Sequence, residues 1–223
     1  MDLSLNGKSA LVCGSTQGIG YAIANELAKL GAQCILIARN ETKLKEAVQQ
    51  LANQEQEHSY LVADFSNPQS VNQVVATYLQ NHKIDILINN SGGPAGGPIT
   101  DASIDAFLDT FQQHLVCNHL LTQQVITGMK ERKFGIISTS VKIPLKGLGV
   151  SNTIRGAVAS WAKTMANELA VYGITVNNVL PGATATQRLS SIIQNKSQKT
   201  QQETSTVEAE MMAEIPMQRF GKP

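Results

Sequence analysis

The sequence predicts an α/β fold: a doubly wound parallel sheet with helices on both faces. Three observations lead there. Six short apolar runs, at 9–13, 34–38, 60–63, 84–89, 134–138 and 174–179, have the length and character of strands buried on both sides. Between them, the stretches 19–30, 42–53, 69–81, 104–130 and 153–171 carry apolar residues at helical spacing. Strict alternation of this kind, with right-handed crossovers, leaves a single doubly wound sheet as the natural topology. A glycine-rich turn then joins the first run to the first helix, where such sheets hold phosphates.

That turn reads Gly14-Ser15-Thr16-Gln17-Gly18-Ile19-Gly20, a G-x-x-x-G-x-G spacing. Glycines there permit a tight bend, bring backbone N–H groups close to a pyrophosphate and let the helix pack on the strand. The position therefore predicts a nicotinamide dinucleotide site. At the end of the second strand, where an acid would hold the ribose 2′-hydroxyl of NAD, the chain has Arg39 followed by Asn40. A guanidinium suits a 2′-phosphate, so NADP is expected in preference to NAD. Asp64, ending the third strand, is a candidate acceptor for the adenine amino group or a helix cap before Asn67-Pro68. The fourth strand closes in Asn89-Asn90-Ser91-Gly92-Gly93, at the carboxyl end where the dinucleotide is expected to lie. The polar stretch 190–206 is read as either a lid over a pocket or a solvated loop.

Composition narrows the function classes. With 223 residues, 42% apolar content and a net charge of +1, the chain reads as one globular domain, and neither disorder nor a nucleic acid partner is favoured. Cys13, Cys34 and Cys117 form no CxxC pair and have no His at metal-ligand spacing, so buried thiols and no metal site are expected. The first eight residues lack the apolar core of a signal peptide, and no stretch approaches the roughly 20 apolar residues of a membrane span. A cytoplasmic location is the expectation.

Taken together, these segments resemble the short-chain dehydrogenase/reductase family, from Leu5 to the last residue. GSTQGIG looks like the family's TGxxxGIG, with Cys13 where Thr is usual, and NNSG is similar to its NNAG. VNNVLPGATAT is similar to the segment bearing the family's Pro-Gly turn, here Pro181-Gly182, which implies that Thr186 meets the nicotinamide amide. The 3-oxoacyl-acyl-carrier-protein reductase-like members are the nearest in character. The resemblance implies a Rossmann-like sheet and oxidoreductase chemistry on a small carbonyl or alcohol. It also implies binding through Gly14 to Gly20, Arg39, Asn40, Asp64, Asn90, Ser91, Gly92 and residue 155, and a homo-oligomer, dimer or tetramer.

The active site departs from that pattern. Matching the helix from Ser151 to the family's YxxxKAAV puts Ser151 at the Tyr and Arg155 at the Lys, and the family's Asn falls on His114. The family's Ser falls on Ser138, with Ser140 as the alternative. An aliphatic hydroxyl is a far weaker acid than a phenol, so Ser151 does not replace Tyr directly. Arg155 stays protonated and is a binder, of ribose hydroxyls or an anionic substrate. His114 could donate the proton, since imidazole titrates near pH 6.5; packing is its other reading. Lys142 and Lys146 are read as two solvated loop lysines in preference to a binding patch. Met211, Met212 and Ile215 are read as packing rather than a pocket wall. Family members continue past the RFGKP segment into one more helix and strand, so the expectation is either a fragment of a longer chain or a sixth strand left at a sheet edge. Two functions remain: a reductase with a non-standard proton donor, or a catalytically silent NADP(H)-binding regulatory or scaffold protein.

Overall fold

A computed structural model describes residues 2–141 and 147–223; Lys142 and Lys146 lie outside the described residues. Residues 1–180 and 181–223 form two compact units. In the first, β1 (Ser9–Cys13) is buried at every position and pairs in parallel with β2 (Gln33–Ala38) on one side and β4 (Ile86–Asn89) on the other. With β3 (Ser59–Val62), β5 (Gly135–Ser140) and β6 (Ile174–Val179), the sheet order is β3-β2-β1-β4-β5-β6, all parallel. The order reverses between β1 and β4, which opens a crevice at their carboxyl ends. This is the doubly wound fold that the alternation of runs predicts, and β6 stands at its edge.

Side-chain alternation sends each strand's apolar residues to two cores. One face joins Leu11, Ile37, Leu87 and Ile137 to Val71 and Val75 of α3 (Pro68–Leu79), Leu121 and Val125 of α5 (Cys117–Arg132), and Met165 of α6 (Gly149–Leu169). The other joins Val12, Leu36 and Ile88 to Ala24 and Ala28 of α1 (Gly18–Lys29) and Leu44 of α2 (Glu41–Gln49). Small residues on α1 let it lie close to the sheet, which fixes its first turn over the crevice.

Several boundaries differ from those expected, three of them with a bearing on the site or the second unit. The helical pattern over 104–130 is interrupted: α4 (Ile104–Phe111) runs into a π-turn over Gln112–Val116 before α5. Such a turn accommodates an extra residue and is frequent at functional sites. The second helix stops at Gln49 because the Asn25 side chain accepts from Ala52 N at 2.9 Å and Asn53 turns left-handed (φ 55°). Finally, the polar stretch 190–206 is helical rather than a loop: it falls on α7 (Gln187–Thr200) and α8 (Thr204–Ala213). Leu189, Ile193 and Val207 make the small core of this second unit, and Met211 packs against it, as expected for packing.

Candidate active site

Local chemistry builds the head of α1. Gly14 takes a left-handed backbone (φ 59°), and a Cβ on it would run into the Asn90 carbonyl. A Cβ on Gly20 would collide with the Gly14 carbonyl and crowd the Asn90 amide at 2.7 Å. Asn90 braces the turn, its Nδ2 donating to the carbonyls of Cys13 at 3.3 Å and Gly14 at 3.4 Å. The N-cap residue Gln17 makes no side-chain cap bond, so among the described residues no side chain caps the first-turn N–H groups that point out of the helix. Beside them the Ser15 hydroxyl is fully buried with no hydrogen-bond partner among the described residues. Donors converging on a space that side chains are excluded from fit the diphosphate of a dinucleotide. Thr16 and Ile19 are half-buried around them, and Gln17 is exposed.

Further along the crevice, Arg39 is exposed at the end of β2. Asn40 is committed to local structure: it caps α2, accepting from Lys43 N at 2.9 Å. Asp64 accepts from Ser66 N at 2.9 Å, which holds its carboxyl below the ordinary Asp range, and Arg39 adds to that effect. The cap before α3 is Asn67, accepting from Ser70 N at 3.0 Å, so Asp64 does not serve in that way. Gly92 is exposed, with open space where a Cβ would stand.

Two of the substituted positions, His114 and Arg155, meet at Ser91. His114, in the π-turn, is 1% exposed, and its Nδ1 is hydrogen-bonded to Ser91 Oγ at 2.7 Å. Arg155, 5% exposed, donates from Nη2 to the Ser91 carbonyl at 3.3 Å and from Nη1 to the Ser140 carbonyl. Its Nε has no partner among the described residues. Burial pushes the guanidinium down to about 10, which leaves it charged at neutral pH. Ser151, one helical turn before it, is buried at 4% exposure.

Ile137 belongs to the core that α6 covers, and Thr139 shares its parity, its hydroxyl donating to Asn178 Oδ1 at 2.9 Å. Ser138 and Ser140 share the parity of Ile136, which packs with the α1 side. Ser140 meets Arg155 through its carbonyl, which accepts from Nη1. Val141, just beyond the strand, is buried. Sequence spacing located the strand but could not give its facing. In the second unit, Thr186 caps α7 through Leu189 N at 3.3 Å, and Pro181-Gly182 opens that unit.

Asn89 escaped sequence reading. It is 2% exposed at the end of β4, and neither amide atom has a partner among the described residues. Its place in NNSG, one residue before Asn90, was the available signal.

The family model for short chain dehydrogenases matches residues 8–197. The 3-oxoacyl-acyl-carrier-protein reductase FabG of Vibrio cholerae is 29% identical over 226 residues, spanning 99% of this chain and 87% of that protein. The inactive hydroxysteroid dehydrogenase-like protein 1 of Homo sapiens is 33% identical over 187 residues, 81% of this chain and 57% of that protein. Among solved structures, the L-sorbose reductase of Gluconobacter frateurii, complexed with NADPH and L-sorbose, superposes with a TM-score of 0.90 at 27% identity. The match covers all of this chain and 88% of that one. The chain belongs to the short-chain dehydrogenase family and is an oxidoreductase of that class.

Proposed function

We propose that this protein is an NADP-dependent oxidoreductase that interconverts a carbonyl and an alcohol on a small molecule, with His114 supplying the proton. The observation that carries the reading is the turn between β1 and α1, where glycines that tolerate no Cβ, a buried unpaired Ser15 hydroxyl and uncapped N–H groups converge. Arg39 stands where a 2′-phosphate is bound in this fold, and the NADPH complex of the sorbose reductase supports the same choice. The dinucleotide, when bound, supplies or accepts the hydride. Gly14 to Gly20 hold its diphosphate, Asn90 keeps their turn in shape, and Arg155 brings fixed positive charge toward a developing alkoxide. Ser151 is too weak an acid to protonate that oxygen, which gives the task to His114.

The reading places the protein in a reducing, cytoplasmic setting, consistent with three buried free thiols. Ile104, Leu108 and Phe111, at i, i+4 and i+7 on α4, are 73%, 55% and 39% exposed and suit burial against a second copy. Light scattering of the purified protein tests that homo-oligomer.

The test of function is a thermal-shift and calorimetric titration with NADPH and NADH, followed by turnover with a panel of ketones and aldehydes. NADPH binding with oxidation above background is expected. Absence of binding overturns the reading; binding without turnover favours a silent NADP(H)-binding regulator or scaffold. Two observations favour that second reading: the Arg155 guanidinium is spent on main-chain carbonyls, and one relative is named inactive. It predicts a hetero-oligomer with an active homologue on pulldown from native extract.

A further inference from the structure

The departures from the family pattern are not scattered. Ser91 replaces the Ala of NNAG, His114 replaces the Asn, and the two side chains are in hydrogen bond at 2.7 Å. Arg155, the replacement of the Lys, donates to the main chain of the same Ser91. His114 is 1% exposed, so its ring does not open onto the crevice, whereas Ser91 is half-buried at the carboxyl end of β4, on the loop that lines it. Of the bonded pair, the hydroxyl is thus the member nearer the surface.

We propose that Ser91 Oγ is the group that hands the proton to the substrate, with His114 recharging it. This rests on the reductase reading above. In the reducing direction the bound cofactor would supply the hydride that forms the new C–H bond at the carbonyl carbon, the cofactor being oxidised as the carbonyl is reduced. The developing alkoxide takes the Ser91 hydroxyl proton, and Ser91 Oγ takes the Nδ1 proton of the His114 imidazolium, which ends neutral. A proton from solvent then returns to the ring through the half-exposed Ser91 hydroxyl. Alcohol oxidation runs the same transfers backwards. The hydroxyl acts as a conduit, so the weak acidity that disqualifies Ser151 is no obstacle: no free serine alkoxide has to accumulate while the imidazolium is in contact. Arg155 is a positioning residue here, holding the Ser91 backbone so that Oγ stays aimed at the ring.

The experiment compares wild type, Ser91→Ala, Ser91→Thr and His114→Gln in NADPH calorimetry, steady-state kinetics and NMR of protein labelled at histidine. Ser91→Ala restores the family's usual residue, so folding is expected to survive, with NADPH Kd within threefold of wild type. General acid catalysis contributes roughly 10²–10⁴ in rate, so kcat is expected to fall by at least 10²-fold with KM little changed. Ser91→Thr, which keeps the hydroxyl, recovers most of the rate, and His114→Gln matches Ser91→Ala. In the ligand-free protein, Ser91→Ala shifts the ring signals of His114 and leaves the other three histidines in place. An unmoved His114 signal overturns the pair. Turnover by wild type with Ser91→Ala within threefold overturns the relay and leaves the reductase reading intact. Wild type that binds NADPH but reduces nothing overturns both at the level of function.

Discussion

Asn90 and Gly14 are joined across the crevice between β4 and β1. The Asn90 amide donates to the Gly14 carbonyl at 3.4 Å, while the Asn90 carbonyl occupies the place a Cβ on Gly14 would need. One residue thus both braces the turn and enforces its glycine. Gly14→Ala meets that carbonyl and a left-handed backbone together, and is expected to cost about 1–3 kcal/mol of stability, measured by urea unfolding. Asn90→Ala removes only the brace; about a tenfold rise in NADPH Kd is expected by calorimetry, with a small fall in Tm.

Cofactor choice is expected to reside in Arg39. Exposed at the end of β2, it is free of any structural task seen in the turn or in the α2 cap, which Asn40 performs. Arg39→Ala is expected to raise the NADPH Kd by roughly 10–100-fold through loss of a charge-assisted contact, with NADH affinity within twofold. Parallel titrations with the two cofactors check this, and equal losses for both would refute it.

The opposite end of the sheet provides a contrast between stability and function. Asp85 is 1% exposed, accepts from Ser9 N at 3.1 Å and pairs with Arg132 Nε at 2.9 Å. Asp85→Ala is expected to lose about 3 kcal/mol, the lower end for a broken buried pair, since Arg132 remains partly in water. Because these contacts lie at the amino ends of β1 and β4, NADPH binding measured below the unfolding transition is expected to be unchanged.

The thiols are expected to be inert in the native state. Burial pushes Cys34 and Cys117 up to about 12, and Cys13 upward as well. A raised thiol pKa favours the neutral form, so at pH 8 the reactive thiolate is scarce at all three sites. Ellman's reagent at pH 8 is expected to label none of the three cysteines in native protein and all three in denaturant. Prompt labelling of the native protein would show that one of these sites opens.

The π-turn shows why part of the site lay beyond sequence reading. Apolar spacing continues across 104–130, so nothing in the pattern marks the extra residue that turns His114 inward at Gln112–Val116. Likewise, the match to the family's serine left Ser138 and Ser140 open, two residues of like parity on β5 with Thr139, bonded to Asn178, between them. A shift of one residue along a strand reverses the face, and a motif count cannot register it.

The sequence alone determined the order of strands and helices, the glycine turn and the arginine at the end of β2. Those features arise from local chemistry: periodicity sets the element, and φ preference and the missing Cβ set the turn. Tertiary structure alone decided which departures from the family pattern meet. Ser91, His114 and Arg155 come from three separate elements, and only the pairing of β4 with β5, with α6 packed over one face of the sheet, brings the carbonyls of Ser91 and Ser140 within reach of one guanidinium. Hydrogen bonds between residues 23 and 64 positions apart follow from how the elements stack, which linear spacing does not encode.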